Sequence, residues 1–376
     1  MRPTTFGGTL GIVRLLLALS VVLAHSSPMF GTDLVGGRTA VECFFVISGF
    51  YMAMVLEKKY FKLERGVWRT FMASRLARLF PVYLVVVAAT LLATAYTVAK
   101  GQQSGFLTHF ADLSPTGAAM VAISNVTMVG QDFMSFSVIG ADGIPWITAH
   151  PLDSAARGEN LLLIPPAWSL SVELFFYVCA PVLLRLSTRT LVGIGLASLA
   201  VRIVLQFAGL DYDPWTYRFF PSELIFFLAG AVAFRLLTVK ATKQSAWTGP
   251  ALLGCLVVVA VIYWWIAHVP GVEFATPLLF ALAVPRLFAW TSHNKIDRWV
   301  GELSYPLYVV HLLVAKVLDS FRLPITGVTL TLASLVAAAV LLLLVDLPTE
   351  RVRQRKLDRI LRDTPILPDP IVEGSR

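Results

Sequence analysis

Ten long apolar runs dominate this chain, and they restrict its fold more than any other feature of the sequence. A helix needs about 20 apolar residues to cross the hydrocarbon core of a bilayer, and each run approaches that length. Charged residues make up only 14% of the chain, whereas soluble domains carry about 25%. The sequence therefore predicts an all-α, polytopic membrane protein with about ten transmembrane helices. The predicted spans are 10–27, 38–56, 79–99, 167–186, 190–208, 220–238, 249–268, 274–291, 301–318 and 327–347.

Lysine and arginine residues concentrate in every second loop between these runs. Such residues are enriched in the cytoplasmic loops of membrane proteins, so both termini are predicted to be cytoplasmic. This placement explains the net charge of +8 without a nucleic-acid partner. The basic loops and the basic C-terminal tail hold Lys58, Lys59, Lys62, Arg65, Arg69, Arg75, Arg78, Arg185, Arg189, Arg235, Lys240, Lys243, Lys295, Arg298, Arg351, Arg353, Arg355, Lys356, Arg359 and Arg362.

Segment 100–166 is the longest stretch between two runs, and we expect it to be an extracytoplasmic loop. Its part 117–129 is apolar but too short to span a bilayer, which predicts an interfacial or re-entrant piece. We expect one membrane domain over 1–350, including this loop, followed by a basic cytoplasmic tail over 351–376. The last residues, 364–376, are predicted to be disordered.

The N-terminus allows a second interpretation. Arg2 and Arg14, a ten-residue apolar run and then Ala24-His25-Ser26 are also typical of a cleaved signal peptide. The apolar residues continue back across Arg14 through 10–13, which favours a first transmembrane span instead.

Arg14 and His25 both lie in this first predicted span, eleven residues apart. A helix advances about 100° and 1.5 Å per residue, so the two side chains would share one face, roughly 16 Å apart. Ionisable groups inside a membrane are costly and suggest function. The alternatives are an arginine that snorkels to the headgroups and an interfacial histidine bonded to a backbone carbonyl.

Carboxylates in two other spans are candidate catalytic residues beside His25. Glu42 is predicted to lie at about the depth of His25, where it would orient the imidazole; the alternative is an ion pair with Arg38, one turn away. Glu173 lies one to two turns inside its span and needs a partner or a proton.

Two further groups of polar residues lie at the cytoplasmic entry to span three and in span nine. Arg75 and Arg78, at i and i+3, could clamp phosphates, although cytoplasmic loops carry arginine anyway. Ser304, Tyr308 and His311 are predicted to stack on one helix face, where a polar packing network is the alternative.

Five motifs together resemble the acyltransferase-3 family of integral-membrane O-acyltransferases. They are Arg14-x10-His25, FFVISGF (44–50), RLARLFPVY (75–83), WSLSVELFFY (168–177) and SYPLYVVH (304–311), in the family's order. One departure is Ala40-Val41-Glu42, where the family often has Gly-Val-Asp.

The resemblance implies transfer of an acyl group, acetyl in the first instance, from cytoplasmic acyl-CoA to a hydroxyl of an extracytoplasmic or lipid-linked glycan. It implies an enzyme of the bacterial cytoplasmic membrane, in contact with membrane lipids, without a metal or other cofactor. His25 would act as general base or as acyl carrier. A glycan or lipid transporter is the alternative function. The expected roles are catalytic for His25, Glu42 and Glu173, donor-binding for Arg14, Arg75 and Arg78, and supporting for Ser304, Tyr308 and His311.

Overall fold

The computed structural model describes residues 9–29, 31–241 and 247–363. The tail predicted to be disordered, 364–376, and the basic residue Lys243 lie outside these residues. The helices are α1 (Gly11–Leu23), α2 (Gly37–Lys58), α3 (Val67–Ala99), α4 (Gly105–Ala111), α5 (Pro115–Thr127), α6 (Gln131–Met134), α7 (Trp168–Leu183), α8 (Thr188–Phe207), α9 (Phe220–Ala241), α10 (Thr248–Ile266), α11 (Val272–Thr291), α12 (Lys295–Glu302), α13 (Ser304–Ser320), α14 (Gly327–Leu341) and α15 (Leu347–Asp363).

Nine helical segments of the described chain are long and apolar enough to cross a membrane. The polytopic, all-α fold is therefore confirmed. Several predicted boundaries differ from the structure. Helix α3 begins at Val67, twelve residues before the predicted start of its span. The segment before α13 forms the short amphipathic helix α12, which lies against the start of α1.

Helix α1 is the exception among the predicted spans, because its 13 residues reach only about 20 Å. It begins inside the protein, where Asp297 of α12 accepts hydrogen bonds from the backbone amides of Gly11 (2.7 Å) and Ile12 (2.9 Å). A buried helix start is tolerated at membrane depth when protein groups satisfy it. Glycine is required at position 11, since a Cβ there would lie 1.6 Å from the carbonyl oxygen of Asp297.

Helix α2 lies in the centre of the bundle and packs most closely against α9. A Cβ at Gly49 would lie 1.8 Å from the carbonyl oxygen of Phe227, and one at Gly230 would lie 1.9 Å from that of Val46. Small residues let two helix backbones approach this closely. This close approach holds α2 firmly against α9.

Segment 100–166 forms a small layer at one end of the bundle, which we call the hairpin end. It contains α4, α5 and α6 and one antiparallel hairpin, β1 (Ser137–Ile139) with β2 (Pro145–Ile147). The predicted short apolar piece corresponds to α5, a 13-residue helix. The remainder, predicted as loop, also contains this hairpin and the other two helices.

The opposite end of the bundle, which we call the basic end, carries the loop between α2 and α3 together with α15. A π-helical turn, Leu342–Asp346, joins α14 to α15. Helix α15 continues without interruption across position 350, the predicted start of the tail, and packs against α3. Its residue Arg353 donates a hydrogen bond to Ser74 of α3. The first part of the tail is therefore a wall of the bundle.

Candidate active site

A cavity of about 430 Å³ begins beside α15 at the basic end and extends into the bundle. Its walls come from α1, α2, α3, α7, α12, α13 and α15, and five arginines face three carboxylates in them. These charged residues are Arg14, Arg75, Arg78, Arg298, Arg353, Glu173, Glu302 and Glu350. The cavity joins three predicted donor-binding arginines from two distant parts of the sequence.

Arg78 is neutralised by the protein itself. Its guanidinium bonds to Asp346 at 2.6 Å and to Glu302 at 2.8 Å, with Glu350 at 4.0 Å. The π-helical turn directs the Asp346 side chain, which is almost completely buried, onto this guanidinium. Because its charge is already compensated, Arg78 holds three helices together at the cavity wall rather than presenting a free cation.

Three other arginines of the cavity have no carboxylate partner in the described chain: Arg14, Arg75 and Arg298. The Nε atoms of Arg75 and Arg298 are buried and have no hydrogen-bond acceptor among the described residues. The guanidinium of Arg75 lies over the ring of Phe71, 5.7 Å from its centroid. Unpaired guanidiniums in a cavity favour an anionic ligand, because their fork-shaped donor groups match phosphate oxygens.

Glu173 lies farther into the same cavity, on α7. Its carboxylate accepts hydrogen bonds of 2.6 Å from the hydroxyls of Ser48 and Tyr177. The sequence predicted that Glu173 needs a partner or a proton, and these two hydroxyls are its hydrogen-bond partners. The structure places Glu173 with these groups and with the cavity arginines, and it shows no hydrogen bond between Glu173 and His25 in the described chain.

The inner end of the cavity is formed by hydroxyl groups. The hydroxyls of Tyr308 and Ser169 lie 2.6 Å apart, and each lies 3.0 Å from the carbonyl oxygen of Pro166, so their two hydrogens serve two of these three contacts at a time. Ser304, one turn before Tyr308, donates to the carbonyl oxygen of Gly301 at 2.7 Å. These hydroxyls place hydrogen-bonding groups at the end of the cavity farthest from the basic end.

Two histidines lie beyond Tyr308. The ring centroids of His25 and His311 are 5.0 Å apart, and that of Tyr308 is 6.2 Å from that of His311. His25 is exposed, whereas His311 is completely buried. Helix α1 ends at Leu23, so His25 lies in the turn that follows, and the eleven-residue helical spacing from Arg14 does not extend to it. Arg14 lines the cavity and His25 lies against His311.

The family model of the acyltransferase domain, acyltransferase-3, matches residues 9–346, which include all of this site except its residues on α15, such as Glu350 and Arg353. This chain belongs to the acyltransferase-3 family. It is therefore a membrane acyltransferase, and this membership argues against the alternative of a transporter without transferase activity.

Curated proteins similar to this acyltransferase come from several bacteria. Protein 2 in the picA locus of Rhizobium radiobacter is 29% identical over 164 residues, 43% of this chain and 74% of that protein. An uncharacterized protein of Aquifex aeolicus (strain VF5) is 23% identical over 207 residues, 50% of this chain and 89% of that protein.

O-acetyltransferase OatA of Staphylococcus aureus is 23% identical over 339 residues. That match covers 82% of this acyltransferase but 50% of OatA, so the chain spans about half the length of that relative. No solved structure gives a significant match to the chain.

The structure corrects the predicted partnership of Glu42 with His25 in this acyltransferase. Glu42 is 0% exposed, and one of its oxygens lies 3.4 Å from Arg38 and 3.3 Å from Arg202. Arg202 also bonds to the buried Glu223 at 3.4 Å. Glu42 therefore belongs to a buried charge cluster between α2, α8 and α9. The ion pair with Arg38, which was the alternative prediction, is formed, and Arg202 makes a second ion pair with the same carboxylate.

Sequence reasoning missed several residues of the cavity. Arg298 and Arg353 count only as basic loop and tail residues when the positive-inside rule is applied. Arg298 lies four residues before Glu302, at the start of the region that carries the SYPLYVVH motif, and this proximity was the available signal. Ser169 occurs within the WSLSVELFFY motif, but nothing in the sequence indicates its bond to Tyr308.

Proposed function

We propose that this acyltransferase moves an acetyl group, or another short acyl group, from cytoplasmic acyl-CoA to a hydroxyl of an extracytoplasmic or lipid-linked glycan. It would act in the bacterial cytoplasmic membrane, with its basic end towards the cytoplasm, as the positive-inside rule predicts.

One observation carries the donor assignment: Arg14, Arg75 and Arg298 line one cavity without a carboxylate partner in the described chain. Coenzyme A brings three phosphate groups, which are strong acceptors for guanidinium donors. Arg78 and Arg353 are occupied by acidic residues of the protein and would contribute to the shape of the site.

The residues along the cavity suit the rest of the donor. With its phosphates at the basic end, the pantetheine arm would run past Glu173 and Ser48 towards the hydroxyls of Tyr308 and Ser169. On donor binding, the hydroxyl of Tyr308 would turn its hydrogen from Ser169 or Pro166 to the oxyanion that forms when the thioester carbonyl is attacked. We assign Tyr308 this role, and Ser169 and Ser304 supporting ones.

His25 is the proposed general base. Its Nδ1 donates a hydrogen bond to the carbonyl oxygen of Val21 (2.8 Å), so in the neutral ring Nε2 carries the lone pair. Nε2 takes the proton of the acceptor hydroxyl as the new C–O bond forms and the C–S bond breaks. The proton then passes to the departing thiolate, which leaves as the thiol of CoA.

A second route would make Nε2 of His25 the nucleophile, with an acyl-imidazole formed first and the acceptor hydroxyl attacking it afterwards. The two routes differ in whether acyl-protein appears without an acceptor. Rapid acid quench of the purified enzyme with labelled acetyl-CoA alone distinguishes them.

Support for a glycan acceptor comes from the family and from the hairpin end. OatA, the staphylococcal relative, is an O-acetyltransferase. At the hairpin end, Trp146 is 57% exposed, and its indole N–H is held by Asp142 at 3.1 Å. A fixed, exposed aromatic ring is a surface on which sugars stack.

The proposed function is tested with purified enzyme in proteoliposomes that receive labelled acetyl-CoA and extracted cell-envelope glycans. We expect acetyl transfer by the wild type and at least a tenfold rise in KM for acetyl-CoA in Arg298→Ala, because each guanidinium–phosphate bond is charge-assisted. Arg69→Ala is the matched control, since Arg69 is exposed on the same end but does not line the cavity. Equal KM values in the two variants would refute the donor site.

A further inference from the structure

We propose that His311 is a positioning residue for His25, and that the two imidazoles hold a single proton between them during acyl transfer. This rests on the proposed function, in which His25 serves as base, and it assigns a task to a buried ring that the reaction does not otherwise use.

Both rings are fixed through the same nitrogen. His25 Nδ1 donates to the carbonyl oxygen of Val21 at 2.8 Å, and His311 Nδ1 donates to that of Tyr308 at 2.7 Å. A carbonyl oxygen only accepts, so in each neutral ring the hydrogen is on Nδ1 and the lone pair on Nε2. Each imidazole therefore offers Nε2 as its base, in a ring whose orientation is set by the backbone.

The second observation is the state of His311 Nε2. The residue is 0% exposed, and Nε2 has no hydrogen-bond partner in the described chain. A buried acceptor without a donor costs free energy, and such atoms occur where a site is completed by another species. Here the ring centroid of His25 lies 5.0 Å away, with the ring planes inclined at 53°.

His25 is the residue placed to supply the missing hydrogen-bond donor to His311 Nε2. Helix α13 packs against α1, α3, α12, α14 and the short helical turn Pro165–Ala167. From the turn that follows α1, His25 brings the imidazole that lies against His311. Tyr308, on α13 itself, faces His311 with its ring and its backbone carbonyl.

These observations predict how the two imidazoles share a proton. When His25 Nε2 takes the proton of the acceptor hydroxyl, the new N–H is shared in a bifurcated hydrogen bond between the acceptor oxygen and the lone pair of His311 Nε2. A charge-assisted hydrogen bond of this kind stabilises the imidazolium, and the proton returns to the thiolate after the C–S bond breaks. A second proton is excluded, because an imidazolium at the buried His311 would be desolvated and would be repelled by the imidazolium of His25, 5.0 Å away.

The first test is nitrogen NMR of the purified full-length protein with ¹⁵N-labelled histidine, titrated between pH 5 and 9. The chain has six histidines, and the two signals are assigned with His25→Phe and His311→Phe. We expect the Nε2 signals of His25 and His311 to move together in one step, and the His311 signal to stay constant in His25→Phe. Independent titration of His311 in His25→Phe would overturn the proposal.

The second test is the pH profile of kcat for acetyl transfer. The acid limb of this profile is the range in which kcat falls as the pH is lowered. In His311→Phe it should move to lower pH by about one unit, because the protonated His25 ring loses a stabilising hydrogen bond. For the same reason kcat should fall at least tenfold. KM for acetyl-CoA should stay constant. His311→Gln should restore the acid limb, since its amide oxygen can accept the same bond.

The control is His293→Phe, an exposed histidine at the basic end, in which neither quantity should change. An acid limb unchanged in His311→Phe, or one displaced equally in His311→Gln, would refute the pair. The two proposals fail separately. Joint titration without acetyl transfer would refute the proposed function alone, and transfer without joint titration would refute the shared proton alone.

Discussion

The carboxylate of Asp297 lies 2.7 Å from the backbone nitrogen of Gly11 and accepts its hydrogen bond. Through this contact α12 fixes the beginning of α1. The next residue of α12, Arg298, and the residue one turn into α1, Arg14, both line the cavity. One buried carboxylate thus sets the relative position of two unpaired cations that come from opposite ends of the sequence.

Replacing Asp297 by alanine should destabilise the protein by about 2 kcal/mol, because two amides at the start of α1 lose their acceptor and a favourable charge near the helix N-terminus. Asp297→Asn should lose less, since one oxygen still accepts. Thermal unfolding in detergent measures both. Asp319→Ala, an exposed aspartate, serves as control. A melting temperature for Asp297→Ala equal to that control would show that the contact is unimportant.

Arg14 and His25 should separate in kinetics, because the structure places them at different parts of the path. Arg14→Ala should raise KM for acetyl-CoA at least tenfold with a smaller effect on kcat, since it removes a phosphate-binding charge. His25→Ala should abolish transfer and leave CoA binding within about twofold of the wild type. Transfer kinetics and isothermal titration with CoA check the two outcomes. Turnover retained by His25→Ala would end its assignment as base or acyl carrier.

Arg78 and Arg75 lie one turn apart on α3 but should respond differently to substitution. Arg78→Ala leaves Asp346 and Glu302 without their partner, and breaking a buried ion pair costs about 3–5 kcal/mol. Arg75→Ala strands no carboxylate and should keep its melting temperature while KM for acetyl-CoA rises. Size-exclusion profiles after heating report the first effect and kinetics the second. Equal melting of both variants would contradict the division of roles.

The buried carboxyl of Asp132 should make the folding stability of the protein depend on pH. It lies in α6, outside the membrane-spanning segments, and burial raises the pKa of its carboxyl to about 6, although Ser171 donates to it at 2.6 Å. Between the ordinary pKa of 3.8 and about 6 the folded state holds a proton that the unfolded state has lost. Stability therefore falls as pH rises through this window and is constant above it.

The measurement is the melting temperature at pH 4.5, 6 and 7.5. The buried carboxylate should cost up to about 3 kcal/mol above pH 6, and Asp132→Asn should flatten this part of the profile. Asp153→Asn, at an exposed position of the same segment, should retain the wild-type slope. An unchanged slope in Asp132→Asn would assign the pH dependence to another group.

Local hydropathy was sufficient to predict most of the bundle, because a helix that crosses a membrane satisfies its own backbone and shows its apolar length in the sequence. Helix α1 could not be delimited in this way. Its start depends on Asp297, 286 residues away, and its end at Leu23 leaves His25 in the following turn.

The candidate site was predictable only in part for the same reason. Spacing located Arg14 and Arg75, and motifs located Glu173 and Tyr308. The partners that decide what these groups do come from other helices. Glu42 shows this most clearly, because its place in the structure depends on Arg202, a residue of α8 that is 160 positions away and carries no motif.

Glu42 gives the sharpest test of that correction. If its carboxylate oriented His25, Glu42→Gln would shift the acid limb of the kcat profile, as a weakened imidazole partner does. In the structure Glu42 compensates Arg38 and Arg202, so Glu42→Gln should lower the melting temperature and leave the limb in place. Glu42→Asp should be intermediate in stability, since it keeps the charge on a shorter arm. The pH profile and melting temperature are measured on the same preparations. A displaced acid limb in Glu42→Gln, with unchanged melting, would restore Glu42 to the active site.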